Sequence, residues 1–308
     1  MISLLLASSL AFGQVRMPWM TEGRAVPACA SAESLKFMRE GRWAEALQVK
    51  ERELAHIGPQ LNDTDVYIAW VCLQTSKAIL LTRLQRHAEA VALLDEILPG
   101  ARSRLGADHP QTMSTEFLGA SVYGNAGRRQ EQIRMLQELR PRVATLHGER
   151  TLEMSSLLRS LSTAYAWVGN HQASLPLDRE VLAIATYQAR RGYCPQVTLD
   201  DCLVTLARAR QHLADTMRRL GQAKQALPLA EAAYQAHAEA RGRFHPNTLD
   251  ARLIVASVYG ELGEREKAIG IEREVLDDAV KHLGFDHEIT RKARGNLAAS
   301  YARERAAR

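Results

Sequence analysis

LGADHPQT, Leu105 to Thr112, punctuates a helical stretch with a glycine, a His-Pro pair and a threonine. The same punctuation returns as RGRFHPNT from Arg241 to Thr248 and as LGFDHEIT from Leu283 to Thr290. A joint repeated along a chain implies a unit repeated between the joints. Periods of a few tens of residues are the mark of solenoids and arrays.

Each unit carries a second marker, a turn glycine. Gly41 in REGRWAEAL is matched by Gln85 in RLQRHAEAV, Gly127 in NAGRRQEQI, Gly169 in WVGNHQASL, Gly221 in RLGQAKQAL, Gly263 in ELGEREKAI and Arg305 in ARERAAR. The intervals are 44, 42, 42, 52, 42 and 42 residues, so one unit holds an insertion. Register then assigns roles. Four residues before the turn stand Tyr123, Tyr165, Tyr259 and Tyr301, with Leu81 and Met217 in the other units. Seven before it stand Ala78, Ala120, Ala214, Ala256 and Ala298, with Ser162 departing. Five after it stand Ala46, Ala90, Ala226 and Ala268, with Ser174 and Gln132 departing.

Small residues at one height and large ones at the next are what two crossing helices require. Apolar steps of three and four on both sides of the turn are helical. Each unit is therefore a helix, a tight turn and a second helix. At the joint, Gly106, Gly148, Gly192, Gly242 and Gly284 are expected to form left-handed caps. Pro110 and Pro246 cannot continue the preceding helix. Thr112, Thr151, Thr198, Thr248 and Thr290 are expected to N-cap the next one. In the inserted unit the first helix is expected from Leu199 to about Arg219. One such unit cannot bury its apolar face alone, so stacking on neighbours must complete the core.

Composition agrees with a folded, helical, mixed-charge surface. The chain has 308 residues, 24% of them charged, and a formal net charge of +5. That balance suits a soluble protein better than a dedicated nucleic-acid binder. Ile2 to Phe12 is an apolar run, and Ala11-Phe12-Gly13 offers an export peptidase its small residues, with Gln14 as the new first residue. This pattern is that of a signal peptide without a basic start, and it places the chain in the periplasm or outside the cell. The alternative is a cytoplasmic chain in which the run is a buried strap. No other run reaches the roughly 18 apolar residues of a membrane span. The cysteines are Cys29, Cys72, Cys194 and Cys202. In an exported chain they allow two disulfides, Cys194 with Cys202 and Cys29 with Cys72; the alternative is four free thiols.

The Leu-Ala-x-x-Tyr helix, the turn glycine and the later alanine resemble the tetratricopeptide repeat. The 42-residue period, the LG-x-DHP-x-T joint and the Pro-Leu of the second helix (Pro176-Leu177, Pro228-Leu229) resemble its kinesin light chain subtype. The resemblance covers residues 34–304. It implies an all-α, right-handed α-solenoid superhelix of about six helix-turn-helix repeats plus a C-terminal capping helix. The expected organisation is a signal peptide at 1–13, a linker at 14–33, the array at 34–304 and a basic tail at 305–308.

The resemblance also implies that the first helices line a concave groove for a peptide or protein. Its candidate contacts are Ser121 and Asn125, Arg159 and Thr163, and Arg208, Gln211, Asp215 and Arg218. Ser114, Phe117, Ser156, Trp167, Arg219, Asp250, Leu253, Ser257, Glu261, Lys292, Gly295 and Ala299 hold equivalent positions. Arg159, Arg208 and Arg218 bias the centre of that groove positively, which favours an acidic peptide or a free C-terminus. The family's groove often grips peptide backbone with paired asparagines. Here Leu118, Ser160, His212 and Ile254 stand at those positions, and only Asn296 fits. Trp167, beside a turn, is read as a packed wedge rather than an exposed anchor.

No motif argues for chemistry. YGNAGRR is a helical turn without the preceding strand that a nucleotide-binding loop needs. His282, Asp286 and His287 belong to a joint and lack the pattern of a metal site. The expected function is a non-catalytic protein-interaction scaffold with no cofactor or metal. The alternatives are a regulatory subunit of an enzyme complex and a nucleic-acid-binding helical repeat. The second needs stacking aromatics, which are sparse on the expected inner face.

Overall fold

A computed structural model describes residues 31–57, 62–191 and 199–306. The candidate signal peptide, Cys29, Cys194, Gly192 and Thr198 lie outside the described residues. The described residues form thirteen helices and no strand. They divide into two compact units, up to Glu149 and from Arg150 onward.

The first unit contains α1 (Ala32–Arg39), α2 (Trp43–Ile57), α3 (Thr64–Arg83), α4 (His87–Leu105), α5 (Pro110–Asn125) and α6 (Arg129–His147). Its core joins Ala46 of α2, Ala78 and Leu80 of α3, Ala90, Leu94 and Ile97 of α4, and Tyr123 of α5. The second unit contains α7 (Leu152–Trp167), α8 (His171–Arg191), α9 (Leu199–Arg219), α10 (Ala223–Arg241), α11 (Pro246–Glu261), α12 (Arg265–Leu283) and α13 (Glu288–Ala306). Its core joins Leu213, Ala214 and Met217 of α9, Ala226 and Ala230 of α10, Ile254 and Tyr259 of α11, and Ala268 of α12. The alanines at the expected crossings, Ala78, Ala120, Ala214 and Ala256, have no solvent exposure. Each large aliphatic side chain beside them contributes about 1.5–3 kcal/mol on burial.

The turns share one geometry. Arg128 N–H donates to Tyr123 O at 2.9 Å, Asn170 to Tyr165 at 2.9 Å, Gln222 to Met217 at 2.9 Å and Glu264 to Tyr259 at 3.0 Å. This bond across five residues closes a helix end when the residue before its donor is left-handed. Gly127, Gly169, Gly221 and Gly263 supply φ of 75–86° there. Gln85 takes the same place with φ 62°, the one non-glycine residue of positive φ among the described residues.

The joints differ from expectation in two ways. Gly242 and its counterparts have positive φ but extended ψ, for Gly242 83° and 157°, so the joint is a glycine-only extended corner and not a left-handed helical cap. The capping residue is the histidine. His109 Nδ1 accepts from Gln111 N–H at 3.1 Å, and His245 Nδ1 accepts from Asn247 N–H at 3.1 Å. Thr248 and Thr290 are buried inside the next helix and donate back to the joint, to Gly242 O at 2.9 Å and Gly284 O at 2.7 Å. Thr112 likewise lies inside α5 and donates to Ala101 O. Among these threonines Thr151 does cap, accepting from Met154 N–H at 3.3 Å. The cap sits three residues upstream of the expected threonine, on the histidine, whether proline (Pro110, Pro246) or Glu288 follows it.

First helices of successive repeats pack on one another: α3 on α5 in the first unit, α9 on α11 and α11 on α13 in the second. The second helices make no comparable contact with their counterparts, so within each unit the first-helix side is the tighter, inner side. Two pairs depart from this, α1 with α3 in the first unit and the following pair in the second. α7 and α9 have at most marginal contact, and both are held instead by α8. This is the repeat with the insertion, and α9 has 21 residues where α5, α7 and α11 have 16.

Candidate functional site

Where α7 and α9 stand apart, α8 forms the floor between them. Asp178 of α8 is buried and bonds to both walls. It accepts from Ser162 Oγ of α7 at 2.5 Å and from Thr216 Oγ1 of α9 at 2.6 Å. Ser174 Oγ adds a bond to Ser162 O at 2.9 Å. Ser162 and Ser174 are the two positions where this repeat departs from alanine, and both hydroxyls serve this buried bridge.

Arg159 stands on the α7 wall and Arg208 on the α9 wall. Among the described residues neither has a hydrogen bond or an ion pair. Both are half-buried. Protein atoms nevertheless surround Arg159 closely enough for desolvation, aided by repulsion from Arg208, to push its pKa down to about 10. Arg208 is pushed down by desolvation and by Arg241. His212 lies one helical turn beyond Arg208 and is exposed. Desolvation holds its pKa down; Asp178 and Asp215 pull it up, and Arg159 and Arg208 push it further down.

The neighbouring acids are already committed. Desolvation raises the Asp215 pKa, but Arg218 and Arg219 more than offset it and hold the group below the usual carboxylate range. Arg218 Nη2 donates to Asp215 Oδ1 at 2.7 Å and Arg219 Nε to Asp215 Oδ2 at 2.9 Å. Arg218 also pairs with Glu261 at 3.3 Å. Asp250 of α11 accepts from Gln211 Nε2 at 2.7 Å and pairs with Lys292 of α13. Arg218 therefore brings no spare positive charge, contrary to the expectation from sequence. The positive bias resides in Arg159 and Arg208.

The remaining candidates are distributed as follows. Thr163 donates to Arg159 O at 2.8 Å, within its own helix. Ser121 and Asn125 lie on α5 in the first unit, where Asn125 Nδ2 donates to Ser121 O at 2.9 Å. Ser114 and Leu253 are buried, and Leu253 belongs to the core beneath α13. Trp167 is 41% exposed at the end of α7, so it is not the packed wedge expected from sequence. Cys72 and Cys202 are each disulfide-bonded. Sequence reasoning missed Asp178 and His237. His237 of α10 is buried with both ring nitrogens unpartnered, and desolvation together with Arg208, Arg241 and His245 lowers its pKa to about 4. Nothing in the repeat pattern marks either residue, because both act through contacts that the period does not set.

Two other places were candidates for chemistry. Among the described residues no three His, Cys, Asp or Glu side chains converge to hold a metal ion. His282 stacks on Phe244, with centroids 3.8 Å apart, and His287 Nδ1 accepts from Ile289 N–H. In the first unit a cleft of about 420 Å³ is lined by Asp95, Leu98, Arg102, Tyr123, Arg128 and Met135. Two of its guanidiniums are paired, Arg102 with Glu116 at 2.7 Å and Arg128 with Glu131 at 2.9 Å; Arg134 lines it as well. No described helix is long and apolar enough to cross a membrane.

Comparison with known proteins bears on the repeats. Tetratricopeptide repeat family profiles match residues 74–111 and 205–279. Among solved structures, the chain is similar to a putative kinesin light chain of Podosopora anserina with nearly identical TPR-like repeats. Identity is 24% over 68% of this chain and 94% of that one, with a TM-score of 0.54. It is similar to BtubC of P. vanneervenii at 14% identity over 79% of this chain and 92% of that one, with a TM-score of 0.62. RapI in its apo form gives 14% identity, 89% and 70% coverage and a TM-score of 0.63. At these identities the likeness is one of fold. No curated protein matches the chain.

Proposed function

The chain carries tetratricopeptide repeats of the kinesin light chain kind, and on that premise we propose that it is a non-catalytic scaffold that holds an acidic protein segment against the inner face of its second unit. The supporting observation is Arg159 and Arg208, two desolvated guanidiniums without a counter-ion. A folded protein gains nothing by burying an unpaired cation. A guest carboxylate relieves that cost through the forked, charge-assisted bonds that arginine makes best.

The test is binding of a labelled hexaglutamate peptide to the full chain, read by fluorescence anisotropy. Reversing both charges, Arg159→Glu with Arg208→Glu, is expected to weaken binding at least about tenfold. Raising salt is expected to weaken it as well, since the walls are partly solvated. Binding unchanged by the double reversal would remove the site from these residues.

We also propose that the protein works in an oxidising compartment, periplasmic or extracellular. The apolar run Ile2–Phe12 and the disulfide-bonded state of Cys72 and Cys202 support this. Mass measurement of the mature N-terminus after fractionation tests it. A chain beginning at Gln14 outside the cytoplasm is expected; one retaining Met1 in the cytoplasm contradicts export.

A further inference from the structure

We infer that Glu272 makes the docking of α13 on α12 proton-dependent: the last helix stays seated while this buried carboxyl is neutral and loosens as it ionises.

The ninth residue after each turn is buried in every described repeat: Lys50, Leu94, Leu136, Asp178, Ala230 and Glu272. A carboxylate at that place needs hydrogen-bond donors from the helices packed on either side. Asp178 has them. Ser162, seven residues before its own turn, donates to one oxygen at 2.5 Å, and Thr216, five before the next turn, donates to the other at 2.6 Å. Register puts Ala256 and Ser300 in the same two places around Glu272. Ala256 is wholly buried and has no hydroxyl to offer. Glu272 is 2% exposed, and its Oε2 has no hydrogen-bond partner among the described residues. The sister site is complete and this one lacks a donor, for a reason visible in the repeat itself.

The helices packed against α12 do not make up the loss. They are α11 and α13. On α11, Asp250 is held by Lys292, Arg252 by Glu274 and Asp278, and Glu261 by Arg218. On α13, the Ser300 hydroxyl and the Arg303 charge favour the ionised form, but burial outweighs both and pushes the Glu272 carboxyl above the usual carboxylate range. A group that holds its proton more tightly when folded favours docking at low pH, and that favour is lost as pH rises through the folded value. Release of α13 uncovers Leu249 and Leu253 of α11 and Val275 and Ala279 of α12, which Ile289 and Ala293 otherwise cover. It also parts Lys292 from Asp250. One proton thus governs the exposure of an apolar face at the end of the second unit.

The experiment is amide hydrogen exchange of α13 in the disulfide-intact full chain, followed by mass spectrometry at pH 5 and pH 8 and corrected for intrinsic exchange rates. Glu272→Gln is the reference, an amide that mimics the neutral acid and cannot ionise. His287, which caps α13 and titrates in its own right, is common to both proteins and cancels. The opening constant of α13, taken relative to Glu272→Gln, is expected to rise about tenfold or more between the two pH values, the effect of a shift of one pKa unit or more. A ratio that does not change with pH overturns the inference. Amides of α5, in the first unit, are expected to exchange alike in both proteins; a difference there as large as in α13 overturns a local device. Glu272→Leu, the residue of the second and third repeats, is expected to serve equally well as a reference and keeps the test available if glutamine disturbs the fold. Ala256→Ser with Glu272→Asp rebuilds the arrangement around Asp178 and is expected to behave as Glu272→Gln does. If that rebuilt site keeps the full pH dependence, the missing donor is not its cause and the inference fails.

Discussion

Arg159 offers the sharpest test at the scale of single residues. A cation that packs for stability destabilises the protein when truncated; one held for a guest does the reverse. Arg159 is desolvated, unpaired and repelled by Arg208. Arg159→Met keeps most of the side-chain volume and removes the charge. The thermal midpoint of the free protein is expected to rise, by an amount on the order of 1–3 kcal/mol in stability, while acidic-peptide binding falls. A fall in both would make the arginine structural. Gln85 gives a second test, at a side chain whose Oε1 lies 3.2 Å from His87 Nε2. Its φ of 62° suits glycine, which the sister turns use. Gln85→Gly is expected to raise stability by about 0.5–1 kcal/mol, since the relief of left-handed strain exceeds the added unfolded-state entropy. Chemical denaturation measures it; a loss would mean that the glutamine side chain holds the turn. Much of this scale was legible in sequence. The turn glycines, the crossing alanines and the arginines on the inner face follow from register alone. The pairing of Arg218 with Asp215 and Glu261 does not, because Glu261 lies a full repeat away and its rotamer is set by packing.

Helix boundaries depend on histidines, and histidines titrate. His245 Nδ1 caps α11 and must be unprotonated to accept. Its pKa is lowered by desolvation and by Arg241; that of His109, the cap of α5, is lowered by desolvation. The buried His237 sits at about 4. The folded pKa lies below the unfolded value of about 6.5 in each case. Their contribution is therefore whole above about pH 6.5 and is lost as pH falls toward the folded values, over the window from about 6.5 to 4. His237 alone accounts for up to about 3 kcal/mol across that window. Urea midpoints at pH 7 and pH 5 are expected to fall with acid, and His237→Leu is expected to flatten part of the slope. His245→Asn, a cap that does not titrate, is expected to flatten a smaller part. A slope identical in both variants would place the acid sensitivity elsewhere. The repeat period showed that a joint must exist, and even which residues compose it. It did not show that the histidine takes the cap and leaves the threonine to bond backward to the preceding joint or helix. Those assignments depend on φ and ψ at the corner, which composition does not carry. The extra length of α9 was legible from the 52-residue interval; the gap it accompanies beside α7 was not, because spacing along a chain says nothing of distance across a wall.

In a stack whose neighbours complete one another's cores, the end is the point of greatest exposure. In the second unit that end is α13. Ile289 and Ala293 cover Leu249 and Leu253 of α11 and Val275 and Ala279 of α12, all nearly or fully buried. Beyond them the helix turns polar, and Ala298 and Ala299 are exposed where earlier repeats bury the crossing alanine. α13 thus presents an apolar face inward and a solvated one outward, as a cap must. Lys292 also reaches from α13 to Asp250, which holds Gln211 of α9, so the cap connects through α11 to the wall of the proposed binding cleft. Ile289→Ala is expected to cost about 2–4 kcal/mol, the usual loss for a large buried aliphatic side chain. Lys292→Met is expected to cost little stability but to free the Asp250 carboxylate, which Gln211 of α9 also holds. Acidic-peptide affinity is then expected to drop a few-fold, because a partly unpaired acid now competes for the cleft's cations. Titrating both variants with the same labelled peptide separates the two effects. If Ile289→Ala and Lys292→Met lose affinity only in proportion to the protein unfolded, the cap stabilises the stack without tuning the site. If Lys292→Met weakens binding in a fully folded protein, the electrostatics of the cleft extend to the last helix of the unit.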